Sequence, residues 1–550
     1  MNNNNEVKDM DRFESLLKLV GVGIVCAIIH KLYLIAKHWS FQHPRYTALI
    51  LTGLIGVTIM SFIGYSYYWI VNRKREKTIK DVFKKKADSL YLGEDNLHHG
   101  VFVPLDARKT HVQVVGSPGQ GKTENGILTF AVDDMRQGRG FILIDGKPED
   151  KILNKITSYA NKTGRLSDLK VFSFADPNIS STFNPLIGDS CEQVASRVMQ
   201  AFNFTDEYYK SVQQTVLSNT LRIFKGAKVI PTFKGVFDAI TRPEFLVNMS
   251  EHGDDTDLLH WAQSFKGQPL DQRKKDVSGL MANISPYAIG EYSKLFNTDR
   301  PEIDIRKILA KNEIAYFQMP ALSMPEFGKT TGKLVLSCLA NAVAHRHSTP
   351  ERDRRFFSVF LDDFSEYLYP GFLTILNKSR SADVGIVFAH QALGDIETMG
   401  PEIANGIKTN SSFKILMKCV DPDSAEYCAR LVGTETDAKY TERSTRGFMG
   451  RTNTGEASVR EAESFIYHPQ VFRSELGVGE AVLVVPHKYG SSYTRVQFRK
   501  LPELPVVLLP KREFLPVVGF PEKYKIESGV APAEVKAVSE MDSYNPGRSV

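Results

Sequence analysis

Cysteine is scarce in this chain: five residues in 550, at positions 26, 191, 338, 419 and 428, with no C-x-x-C pair among them. That spacing offers no disulfide framework and fits reduced thiols in a cytosolic compartment. Internal repeats are absent, and 42% hydrophobic with 24% charged residues gives no support for wholesale disorder. Most of the chain also lacks a charge excess. The formal net charge is +6, yet residues 1–86 hold 14 Lys/Arg against 6 Asp/Glu, leaving 55 against 57 for the rest. The excess therefore belongs to the N-terminal segment, where it suits an anionic lipid surface, and the remaining composition is silent on nucleic acid. A chain of this length exceeds one compact core, so about two or three domains are expected.

Long uncharged runs are confined to the same N-terminal segment, residues 1–86, read as a membrane anchor. Residues 47–71 carry no formal charge over 25 positions, enough for a helix to cross a hydrocarbon core of about 30 Å. A second, poorer span is expected at 16–36, where Lys18, His30 and Lys31 would snorkel to the interface. Tyr67, Tyr68 and Trp69 precede a basic run from Asn72 to Lys86. Positive charge stays inside, so both termini are expected in the cytoplasm, with a short external loop at 37–46.

From residue 87 onward, short apolar runs alternate with helix-like stretches, which predicts α/β architecture with buried parallel strands. The candidate strands lie at 111–115, 140–145, 169–174, 314–319, 356–362, 384–390, 413–418 and 480–485. Helical spacing without strand signals over 190–310 predicts an inserted all-α domain, dividing the nucleotide-binding domain into 87–189 and 311–500. Residues 501–550 form a Pro-rich and then polar tail, its last part expected to be disordered.

The most specific motif is Gly116-Ser117-Pro118-Gly119-Gln120-Gly121-Lys122-Thr123, followed by Glu124. It satisfies G-x-x-x-x-G-K-[ST] between a strand and a helix, the only context in which the pattern makes sense. The glycines let backbone N–H groups converge on phosphates, the helix N-terminus adds partial positive charge, and Lys122 reaches the β and γ phosphates. Thr123 offers a hydroxyl to Mg²⁺, so ATP and Mg²⁺ are the expected ligands. Two strand ends supply carboxylates: Asp145, and the pair Asp362 and Asp363. Asp145 before Gly-Lys-Pro reads equally well as a strand closure. Asp362 is the better metal-directed residue, with Asp363 left to orient or deprotonate the attacking water.

In this order of features the chain resembles the type IV secretion coupling proteins, the TraG/TraD-like conjugative ATPases. The residues that carry the resemblance are two N-terminal spans, the phosphate loop, FILIDGKPED, ADPNISSTFNPL, the helical insertion, VFLDDFSEY and GIVFAHQALGDIE. The resemblance implies a RecA-like P-loop NTPase domain with an inserted all-α domain, preceded by two transmembrane helices and assembled as a homo-hexamer at the bacterial inner membrane. It further implies delivery of relaxase-bound single-stranded DNA to a type IV secretion channel, powered by ATP hydrolysis. Gln391 looks like the family's γ-phosphate sensor and Arg380 like an arginine finger reaching a neighbouring subunit. At Asp363 the sequence departs from the family, where Glu is commoner, so slow, assembly-dependent turnover is expected. Two other readings stay open: protein effectors as cargo of the same motor, or a nucleotide-binding docking receptor without steady hydrolysis.

Overall fold

The computed structural model describes residues 89–513 except 148–149, 320–322, 448–449 and 488–489, together with the isolated positions 31, 60 and 64. Apart from those positions, both expected spans lie outside the described residues. Among the helices described, none is long and apolar enough to cross a membrane. Met1–Lys85 and Lys86–Val550 form two units.

The second unit is built on one sheet. Its strands are β1 (Ser89–Asp95), β2 (Gly100–Pro104), β3 (Val112–Val115), β4 (Phe141–Asp145), β5 (Leu169–Ser173), β6 (Ile314–Gln318), β7 (Phe357–Leu361), β8 (Val384–His390), β9 (Phe413–Leu416), β12 (Glu480–His487) and β13 (Gly490–Phe498). They lie in the order β2-β1-β13-β12-β9-β3-β8-β7-β4-β6-β5. From β9 to β5 every neighbouring pair is parallel.

Apolar runs become central strands because each feeds two cores. A strand's side chains alternate between faces, and a strand covered on both sides favours apolar residues at most positions, admitting a polar one only where it finds a buried partner. Ile142 and Ile144 of β4 join one buried cluster while Phe141 and Leu143 join another. The same division separates Ala315 and Phe317 of β6 from Ile314 and Tyr316.

Two expectations need correction. The strand at 480–487 is antiparallel to β9, and β13, β1 and β2 continue as an antiparallel wing. Their mixed polar sequences, such as SLYLGED, are half-exposed and lack the continuous apolar pattern. A long hairpin, β10 (Thr434–Gly447) with β11 (Gly450–Phe465), forms a separate sheet that hydropathy did not announce.

Between β5 and β6 the chain is helical, from Cys191–Ala201 through Leu270–Ala288 to Ile305–Lys311. Side chains at N-caps start these helices: Ser190 accepts from Gln193 N, Asp206 from Tyr208 N, and Thr232 from Gly235 N. Phe172 of β5 touches Phe183, Phe296 and Phe317, so the helices share a core with one face of the sheet. Asn184 ties the root together. Its Nδ2 donates to Pro231 O at 2.9 Å and Thr298 O at 2.8 Å, and its Oδ1 accepts from Leu186 N at 3.0 Å. Asn184→Ala leaves two carbonyls and an amide unpaired in a buried site and is expected to lower unfolding free energy by about 2–4 kcal/mol. Urea denaturation measures this, and a midpoint equal to wild type would contradict it.

The first part of the Pro-rich tail is docked. Tyr159 Oη donates to Pro502 O at 2.6 Å and Ser158 Oγ to Pro505 O at 2.8 Å. Leu501, Leu504 and Leu509 pack on the core beneath. The part of the tail expected to be disordered lies outside the described residues.

Candidate functional site

β3 is buried at all four positions and delivers the chain to the middle of the sheet's C-terminal edge. There the chain turns sharply into a helix that starts at Lys122. Gly121 has φ 90°, in the left-handed region, and a Cβ there would sit 2.3 Å from Asn125 Nδ2, so only glycine fits. The loop is stapled to the segment after β9. Ser117 N donates to Lys418 O at 2.8 Å, and Val420 N donates to Ser117 Oγ at 2.9 Å. Lys122 is buried, and its Nζ donates to Gly116 O at 2.7 Å and Ser117 O at 3.2 Å. Burial pulls its ammonium below the ordinary value, opposed by the charges of Asp363 and Asp362.

Those two acids stand one and two residues beyond the end of β7. Thr123 Oγ1 donates to Asp362 Oδ2 at 2.7 Å. Asp362 is fully buried, and its Oδ1 has no hydrogen-bond partner among the described residues. Asp363 adopts φ 46°, unusual for a residue with a side chain, and its Oδ2 lies 3.2 Å from Lys147 Nζ. Asp145, at the end of the adjoining β4, accepts from Tyr316 Oη at 2.7 Å and from Lys147 N at 2.9 Å. Burial, reinforced by the charge of Asp362, pushes the Asp145 carboxyl up to about 7. Burial, then Asp363, likewise raises Asp362.

An orphaned buried carboxylate oxygen beside a Thr hydroxyl suits a hard divalent cation, which takes oxygen ligands. Among the described residues, no three His, Cys, Asp or Glu side chains are grouped to hold a metal. A cation here would therefore complete its shell with water and with oxygens of a bound phosphate, as Mg²⁺ does.

Gln391 follows β8 directly, at the same sheet edge, since His390 pairs in register with Val115. Its backbone N donates to Asp395 Oδ2 at 2.7 Å, and its side chain is exposed. Beneath it lies a buried polar chain: His390 Nε2 contacts Gln113 Nε2 at 2.9 Å, and Lys414 Nζ donates to Gln113 Oε1 at 2.7 Å. Burial, then the charge of Lys408, pulls the Lys414 ammonium down from 10.5 to about 7. The unfolded chain keeps that proton up to the higher value. Over this window unfolded protein binds more protons than folded, so the Lys414 contribution to stability rises with pH. Lys414→Met is expected to remove that rise. The wild-type minus variant difference in urea midpoint should climb between pH 7 and 10, and a flat difference would refute the assignment.

The remaining sequence candidates are placed elsewhere. Arg380 is exposed and precedes β8 at its N-terminal end, on the edge away from its own phosphate loop. Glu124 turns from the loop towards the helix Asp150–Lys162, its Oε1 accepting from Lys155 Nζ at 2.6 Å and lying 3.2 Å from Lys151 Nζ. Two participants escaped sequence reasoning. Lys147 sits in the Gly-Lys-Pro turn, read only as a strand closure, although an ammonium one turn after a strand-end Asp was a usable signal. The 417–420 segment that braces Ser117 carries no motif.

A phosphate loop on a parallel sheet, with a Thr–Asp pair at the strand ends, defines a P-loop protein of RecA-like α/β fold. The particular likeness comes from three comparisons. Residues 357–473 match the family model described as the TraM recognition site of TraD and TraG. The type 4 coupling protein DotL of Legionella pneumophila is 23% identical over 420 residues, covering 66% of this chain and 51% of DotL. The chain thus spans about half the length of the curated relative it matches. In fold, the chain resembles the bacterial conjugative coupling protein TrwB, unbound form, with TM-score 0.57 at 13% identity over 78% of this chain and 92% of that one. TrwB in complex with ADP and Mg²⁺ gives TM-score 0.53 at 15% identity, over 74% and 89%. Together these findings support a type IV coupling protein.

Proposed function

We propose that the chain is a membrane-anchored P-loop ATPase that delivers relaxase-bound single-stranded DNA to a type IV secretion channel. The observation that carries the reading is the 2.7 Å bond from Thr123 to Asp362 with the second Asp362 oxygen left unpaired. A further support is that TrwB, of similar fold, is known in complex with ADP and Mg²⁺. In this reading the anchor occupies 1–86, the nucleotide-binding domain 87–189 and 311–500, the inserted all-α domain 190–310 and the tail 501–550. Homo-hexamers sit in the bacterial inner membrane, in contact with its lipids and with channel components.

The loop amides from Gly116 to Thr123 wrap the β and γ phosphates of ATP, and Lys122 leaves its carbonyl partners to neutralise charge on them. Thr123 and Asp362 would hold Mg²⁺, which when bound would supply positive charge against that developing during phosphoryl transfer. Asp363, fixed by Lys147, orients the attacking water and accepts its proton. Gln391 hydrogen-bonds that water and the γ-phosphate. Arg380 cannot serve its own loop across the sheet, so its role is in a neighbouring subunit.

Full-length protein in detergent should hydrolyse ATP with a specific activity that rises with protein concentration and rises further with single-stranded DNA. Background turnover under every condition would leave only a nucleotide-binding docking receptor. Arg380→Ala and Lys122→Ala subunits, each inactive alone, are expected to regain activity when mixed. Recovery would be read as phosphate release, and its absence would remove the intersubunit assignment.

A further inference from the structure

Opposite the phosphate loop, at the N-terminal ends of the parallel strands, lies a cavity of about 570 Å³. Its walls come from the helix Ile305–Lys311, the C-terminal end of the helix Pro325–Arg346, and the segment leading into β7. The five-residue strands β6 and β7 separate it from the other edge by about 15 Å at about 3.3 Å per residue. It is too remote to belong to the same site.

The charge on its walls is one-sided. Lys311, Arg346, Arg354 and Arg355 line it together with Arg306 and Lys307, which are paired outward with Asp189 at 2.8 Å and Asp304 at 3.2 Å, and Asp353 is the one carboxylate of the lining. Asp353 contacts Arg352, at 3.7 Å, outside this lining. Arg346 is only 8% exposed, yet its guanidinium donates to backbone carbonyls, Leu309 O at 3.4 Å and Arg355 O; among the described residues no carboxylate pairs with it, and Asp383, the acid that acts on it electrostatically, is itself paired with Lys109 at 2.8 Å. Arg354 is fixed in the same way, by Thr349 O at 2.8 Å, His347 O at 3.0 Å and Ser381 O at 2.7 Å. Among the described residues, Lys311 and Arg355 have no ion-pair or side-chain hydrogen-bond partner. Burying a guanidinium without a counter-charge is costly, and like charges around one hollow repel. Carbonyls aim the two arginines but do not neutralise them. An anion inside the cavity would do both.

We propose that this cavity is a second phosphate site that takes a small, multiply charged oligophosphate, either inorganic or the phosphate chain of a nucleotide. Its volume lies in the usual range for small-molecule pockets. Planar guanidinium forks with mobile ammonium groups at the rim are the donor set that binds phosphate oxygens.

The test is calorimetric titration of full-length protein with inorganic tripolyphosphate. Wild type should show two saturable events and Lys122→Ala one. In the Lys122→Ala background, the exposed-site changes Lys311→Glu and Arg355→Glu should each weaken the remaining event at least tenfold without altering thermal unfolding. A parallel titration with ADP distinguishes the sources: equal affinity assigns recognition to the phosphate chain alone, and tighter binding assigns it to a nucleotide. One event in wild type with none in Lys122→Ala would remove this site while leaving the phosphate loop intact. Non-saturable binding, or charge reversals that change affinity less than twofold, would also overturn it.

Discussion

Lys122→Ala should lower ATP turnover by at least about 10²–10³-fold, the loss typical when a preorganised donor to developing charge is removed. The lysine is buried and lies against its own loop carbonyls. Burial limits screening by solvent, so its charge acts on a bound triphosphate at low effective dielectric. Alanine is well tolerated in a helix, and removing the lysine relieves the burial of its own ammonium, which offsets the lost bonds to Gly116 O and Ser117 O. Unfolding should therefore change little while nucleotide affinity and hydrolysis both fall. The measurements are phosphate release and binding of a fluorescent nucleotide, alongside thermal unfolding. Wild-type turnover in this variant would end the motor reading, because Lys122 is the one lysine within Gly116–Thr123.

The second large effect is expected at Asp363. Asp363→Asn keeps the shape of the side chain but removes the negative charge that holds Lys147 at 3.2 Å. It also removes the carboxylate adjacent in sequence to Asp362 that the proposed mechanism uses as proton acceptor. Turnover should drop by about 10²–10⁴-fold, as for loss of a general base, while nucleotide still binds through the loop and the intact Thr123–Asp362 pair. This division between binding and turnover distinguishes Asp363 from Lys122. If Asp363→Asn hydrolyses normally, the base lies elsewhere. Asp145 would be the next candidate, because its carboxyl, raised to about 7, is poised to exchange a proton near neutrality.

Legibility was uneven across the chain, for physical reasons. Runs such as FILID and FSVFL were readable because strands covered on both faces are apolar at nearly every position, not at alternate ones. The phosphate loop was readable because left-handed backbone at Gly121 and the approach of amides to an anion restrict residue type to glycine. The wing of β1, β2 and β13 was not, since strands that half face solvent carry ordinary mixed sequence. Nor was the docking of 501–505, which rests on single bonds from Tyr159 and Ser158 about 340 residues away in sequence. The basic cavity was hidden for a similar reason, its charges coming from separate segments inside a region that is neutral on average.

From its residues alone this chain determined which segments must be buried strands, where a phosphate can be wrapped, and that acidic strand ends accompany it. These properties are local, set by side-chain periodicity and backbone sterics over a few residues. Tertiary structure decided which of three carboxylates faces Thr123, that Lys147 partners Asp363, and that Arg380 lies on the far edge from its own loop. It also decided which strands run antiparallel. Strand order and direction set those outcomes, because a parallel sheet brings all its C-terminal ends to one edge and sends whatever precedes each strand to the other.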